Sequence, residues 1–181
     1  GFDFLTVGYL GPGYGSDYHD YDRAEVVGFE GEAVRLRSVG RSWLREGRMQ
    51  LYRAHRDIHT QLPPERMSIS LNILASPPGQ GWRRQYRFDT ARGVIAQSMT
   101  VASAQLLLEL AIGCGDENAM DLAAAFARRH PHDAMRLTAW SALGDALQGD
   151  ARREYLEAGA ASDSPLVRAQ AYACLGTLRN G

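Results

Sequence analysis

Histidine is the residue through which this chain could do most chemistry, and three of its five histidines lie in the first half beside carboxylates and phenols. His19, Tyr21 and Glu25 fall within HDYDRAE, and His55, Asp57 and His59 occupy alternate positions of HRDIH. Alternate side chains of an extended segment share a face, so His19 goes with Tyr21, and His55 with Asp57 and His59. Imidazole nitrogens with carboxylate or water ligands and open positions suit Fe(II), Mn(II), Ni(II) or Zn(II). His130 and His132, in RRHPHD, lie between helical stretches without a third partner and are expected to be solvated or capping groups.

Composition closes other routes. Every one of the 20 basic residues is arginine, so a Schiff-base lysine, a pyridoxal-phosphate aldimine and a Walker A lysine are excluded for this chain. There is no G-x-S-x-G elbow, no H-E-x-x-H helix, no G-x-G-x-x-G between strand and helix, and no C-x-x-C. Cys114 and Cys174 read as reduced, buried thiols. A net charge of −1, with 13 arginines against 11 acids up to residue 97 and 7 against 10 after it, supplies no field for nucleic acid or an acidic membrane. Seven arginines crowd between Arg35 and Arg56 and are expected to form a solvated face with ion pairs. No run of eighteen apolar residues occurs and GFDFLTVGYL lacks a basic n-region, so the expected setting is cytoplasmic, with no membrane span. The start at Gly1 instead of Met is compatible with a processed or shortened chain whose upstream strands belong to the same fold.

The elements that must position these residues fall into two halves. Up to residue 97 the runs FDFLTVGYL, AEVVGF, EAVRLRSV, MQLYRAH, MSISLNIL, QYRFDT and GVIAQSMT are short and alternating or β-branched, and are separated by LGPGYGSD and SPPGQG. That pattern predicts antiparallel strands with turn residues between them. From about Val101 the apolar spacing becomes helical and predicts five short helices, with Asp116, Asp133 and Asp150 as N-caps and Ser164 before Pro165 at the start of the last. Arg136, Ala139, Trp140, Leu143 and Gly144 recur 32 residues later as Arg168, Ala171, Tyr172, Leu175 and Gly176, a period that marks stacked helical hairpins.

Two resemblances follow from these residues. Gly13, His19, Tyr21, Glu25 and Gly31 form G-x5-H-x-Y-x3-E-x5-G, which resembles the first motif of the cupin superfamily, with Tyr21 at the second histidine position and the last spacing one residue short. His59 in DIHT resembles the barrel histidine of the thiol dioxygenases, and SLNILASPP resembles that family's S-L-H-x-Y-x-P-P ending, with Asn72 in place of histidine. HPHDAMRLTAWSALGDAL and SDSPLVRAQAYACLGTL resemble HEAT repeats. The resemblance implies an α+β chain: an antiparallel β-barrel of the cupin jelly-roll type over residues 1–97, followed by an all-α HEAT-like segment over 98–181.

For function, the cupin resemblance implies a metal-dependent enzyme, a non-haem iron oxygenase acting on a small polar or amino-acid-like substrate. Fe(II) is the expected metal, with Mn, Ni or Zn as alternatives. His19 and His59 would hold it, Glu25 or His55 would complete the site, and Tyr21 would orient substrate or bound oxygen as the catalytic residue. The competing expectation is a small-molecule sensor or scaffold without chemistry, whose helical half docks a protein partner. A homodimer is expected only by analogy with cupins.

Overall fold

The computed structural model describes residues 1–180 and divides them into two compact units, Gly1–Thr100 and the helical part from Val101 onward. The first unit holds eight strands: β1 (Phe4–Leu10), β2 (Tyr14–Asp20), β3 (Arg37–Leu44), β4 (Met49–Tyr52), β5 (Asp57–Gln61), β6 (Ile69–Leu74), β7 (Tyr86–Asp89) and β8 (Val94–Ser98). One-turn 3-10 helices occur at Arg23–Glu25 and Gln80–Trp82.

The expected jelly-roll barrel is not formed. The strands make three separate small antiparallel sheets, ordered β4-β1-β6, β3-β2-β5 and β7-β8. A barrel closes only when every edge strand finds a partner, and no ladder among the described residues joins one of these sheets to another. Alternation along each run tells which residues share a face, not which strand lies alongside. The break at Gly11–Pro12–Gly13 moves the chain from one sheet to the next: a Cβ on Gly13 would sit 1.8 Å from the Leu44 carbonyl oxygen, and its φ of +76° suits glycine.

The first two sheets turn polar faces towards each other. Tyr18 Oη lies 2.8 Å from Tyr52 Oη and donates to Gln50 Oε1 at 2.7 Å. Gln50 Nε2 donates to Ser42 Oγ at 3.0 Å, and Tyr14 Oη lies 3.4 Å from Ser70 Oγ. Thr6, itself buried, donates to Asn72 Oδ1 at 2.6 Å. The apolar core of this unit lies elsewhere, where Tyr21, Val26, Val34, Ile58, Tyr86 and Ile95 pack together. Residues 31–34 run beside β8, with Val34 N bonded to Gly93 O and Ile95 N to Glu32 O. Glu32 and Val34 point inward while Arg35 and Arg37 stay exposed, so that part of EAVRLRSV has one buried and one wet face.

The second unit contains α1 (Ser103–Gly113), α2 (Glu117–Arg129), α3 (Asp133–Asp145), α4 (Gly149–Ala160) and α5 (Pro165–Asn180). Asp116 caps α2 by accepting from Asn118 N at 2.9 Å. Asp133 and Asp150 instead sit in the first turns of α3 and α4, where a carboxylate still complements the helix dipole. The 32-residue repeat has a structural counterpart. Ala139 and Ala171 are both fully buried, and Arg136 and Arg168 each donate to a carbonyl that precedes their helix, of Ala127 and Ser162 respectively. The repeat breaks at its aromatic, because Trp140 is buried and Tyr172 is exposed.

Trp140 is seated over Gly159, where an added Cβ would fall 2.4 Å from Cζ2 of the indole, and it stacks on Tyr155 with ring centroids 5.3 Å apart. Gly159→Ala should therefore lower the stability of the helical unit by about 1–3 kcal/mol, the usual cost of overpacking. Denaturant unfolding followed by far-ultraviolet circular dichroism checks this; an unchanged midpoint would mean that the indole does not occupy that position.

Candidate functional site

β5 is an edge strand of its sheet, and beside it opens a cavity of about 430 Å³. Its walls come from β5, from the turn that precedes it and from β7, with the rings of Phe4, Tyr21, Tyr52, Tyr86 and Phe88 supplying much of the surface. Volume and aromatic lining are those of a small-molecule site.

His59 stands on this wall. It pairs across the ladder with Tyr18 and lies 4.5 Å from the Tyr52 ring and 6.2 Å from that of Phe4, centroid to centroid. Tyr52 in turn stacks on Phe4 at 4.4 Å and 7°. The imidazole is open to solvent on one side, and the burial of its other side pushes its pKa below 6.5, with the Asp57 carboxylate opposing. Burial also raises the Tyr52 phenol, and the hydrogen bond with Tyr18 adds to this, so the group stays protonated. Tyr21 is raised to about 12 by burial in the apolar core, its ring 5.2 Å from Phe88, and is likewise a neutral phenol.

His55 and Asp57 line the same cavity, and Asp57 shares a face of β5 with His59, but His55 does not extend that face. His55 lies in the turn before β5 with a φ of +58°, so the alternation that grouped it with its neighbours begins only at Asp57. Burial lowers its pKa, assisted by surrounding positive charge that includes Arg23 and Arg83. Asp57 is committed to that turn: it accepts from Arg53 N at 2.9 Å, from Nε at 2.9 Å and from Nη2 at 2.7 Å. Burial raises its pKa, but the Arg53 contacts outweigh that and leave it below 3.8.

The other expected ligands lie elsewhere. His19 pairs with Ile58, and His59 with Tyr18, so the two imidazoles sit at adjacent rungs on opposite faces of one sheet. His19 Nδ1 is buried without a hydrogen-bond partner. Glu25, in the 3-10 turn Arg23–Glu25, is exposed and borders a different depression. Among the described residues no three His, Cys, Asp or Glu side chains are grouped so as to hold a metal ion. The ligand set His19, His59 and Glu25 or His55 therefore does not fit a common ion: the resemblance concerned motif spacing, whereas convergence required a curved barrel that would aim both histidines inward.

Of the seven crowded arginines, Arg37, Arg41 and Arg53 form solvated ion pairs. Arg37 holds Asp20 at 2.8 Å, and Arg41 holds Asp17 at 2.6 and 2.8 Å. His130 Nδ1 accepts from His132 N at 3.1 Å in the connection before α3, where His132 holds the N-cap position without a side-chain capping bond.

Sequence reasoning passed over Arg84 and Tyr86. Both line the cavity, and Arg84 Nη1 and Tyr86 Oη are buried with no hydrogen-bond partner. The Arg84 guanidinium lies 5.3 Å from the centroid of the Tyr86 ring. Gly28 makes room for them: its φ is +101°, and a Cβ there would fall 2.1 Å from Tyr86 Oη and 3.1 Å from Arg84 Nη1. The loop carrying Gly28 is held by the buried Glu32, whose carboxylate accepts from the backbone N–H of Val27, Gly28 and Phe29 at 2.8, 2.5 and 3.3 Å. The signal available in the sequence was RRQYRF, in which Arg84, Tyr86 and Phe88 alternate onto one face.

Comparison with protein-family models, with curated proteins and with solved structures gives no significant match. None of the described helices is long and apolar enough to cross a membrane.

The two depressed histidines make a pH prediction. As pH falls below 6.5 the unfolded chain takes up protons that folded His55 and His59 still refuse, so stability present above 6.5 is lost as pH drops through their folded values. Asp57 contributes a separate loss only below 3.8. Thermal unfolding across pH 5 to 8 should show a midpoint that falls towards the acid side, the Gly1 amine, lowered to about 6 by burial, adding to the fall above pH 6.5, and a shallower fall below pH 6.5 for His59→Gln. An identical slope in that variant would show that His59 is not held neutral.

Proposed function

We propose that the first unit binds a small organic anion with a planar, apolar body in the cavity beside β5. The observation that supports this reading is the aromatic cavity of about 430 Å³ with the partly exposed Arg84 side chain in its lining. Arginine presents a planar fork that matches a carboxylate or phosphate. Phe4, Tyr52 and Phe88 would cover the apolar body, and a neutral His59 could accept or donate one hydrogen bond there without adding charge.

This is the sensing reading of the chain, in which binding itself is the function. Iron oxygenation is not carried forward, because it needed His19 and His59 to grip one ion.

Benzoate and phenyl phosphate serve as probes, with benzyl alcohol as the neutral control. Both anions should raise the unfolding temperature and titrate calorimetrically as a single site. Arg84→Met, which keeps the stem and removes the charge, should weaken them by about tenfold or more. Equal binding of the alcohol, or undiminished anion binding by Arg84→Met, would rule the reading out.

A further inference from the structure

The sheet β4-β1-β6 is turned inside out. Its inward face carries Thr6, Gln50, Tyr52, Ser70 and Asn72, which make the hydrogen bonds described above, with Gly8 among them and Phe4 and Leu74 at one end. The alternate positions point away from the second sheet and are aliphatic. The ladder aligns them into two consecutive rungs, Leu51–Leu5–Ile73 and Met49–Val7–Leu71, and Leu10 faces Ile69 at the next. Met49, Leu51, Leu71 and Ile73 are 53–66% exposed, and Leu5 and Val7 between them are partly exposed. No charged residue occurs at any of these positions.

A half-covered antiparallel sheet ordinarily sends its apolar face to the core and its polar face to water. Here the polar face is already taken. The exposed aliphatic surface amounts to on the order of 600 Å², at the upper end of what a monomer displays and close to the roughly 800 Å² per partner of a standard interface. A second face of the same kind suits it best, because it is uncharged throughout, gives no like-charge contact when paired with itself, and forms the closed two-fold contact usual for identical chains.

We infer that this face is the interface of a homodimer in which two copies stack the β4-β1-β6 sheets face to face. The aliphatic rungs interdigitate as the inner faces of a β-sandwich do, with the sheets about 10 Å apart. The contact uses sheet faces, leaves strand edges free and is independent of the anion cavity.

Sedimentation of the full chain should give twice the 19.9 kDa chain mass at micromolar concentration. Leu71→Glu, at the middle of the patch on a solvent-facing position, should give a monomer with unchanged far-ultraviolet circular dichroism. Leu122→Glu, on an exposed position of α2, should stay dimeric. If Leu71→Glu fails to fold, the milder Met49→Gln should raise the dimer dissociation constant about tenfold. A wild-type monomer, or a dimer that survives both patch substitutions, overturns the inference. So does a monomer that floats with neutral phosphatidylcholine vesicles, which would assign the face to lipid.

Discussion

The contact of Tyr18 Oη with Tyr52 Oη and Gln50 Oε1 is the centre of a set of side-chain hydrogen bonds, with Gln50–Ser42 and Tyr14–Ser70, that ties two sheets together. No strand ladder crosses that gap, so side-chain hydrogen bonds hold the sheets in register. Two consequences follow from one arrangement. Polar side chains occupy the space between the sheets, and the aliphatic side chains of β1, β4 and β6 are left on the outside.

The same contact shapes the cavity. Tyr52, held by Tyr18 and Gln50, stacks on Phe4 and presents its ring to His59, which keeps the imidazole neutral beside an aromatic wall. The opposite wall depends on a second device, the Glu32 carboxylate gathering three backbone N–H groups so that Gly28 can pass against Tyr86 and Arg84. Of His19, Tyr21 and Glu25, only Tyr21 borders the cavity.

Much of the candidate site was legible as residue types. His55, Asp57, His59 and Tyr21 do border one cavity, but in roles their spacing could not assign. Asp57 closes a turn with Arg53, Tyr21 fills core, and His55 sits at a positive φ where strand alternation does not apply. Arg84 and Tyr86 carried a readable i, i+2 pattern, yet nothing in it tells that their polar ends would be buried without partners. That depends on Gly28, almost sixty residues away in the chain.

Local rules by themselves determined the change from strand to helix near residue 100, the Asp116 cap, the start of the last helix at Pro165, and the exclusion of lysine chemistry. These depend on periodicity, capping and composition, which act over a few residues. Only the tertiary structure decided which strands pair, that three sheets form in place of a barrel, that His19 and His59 face opposite ways, and that the polar side of β1, β4 and β6 turns inward. Alternation defines two faces for every strand, but long-range hydrogen bonds choose between them, and a shift of one residue in pairing exchanges the two.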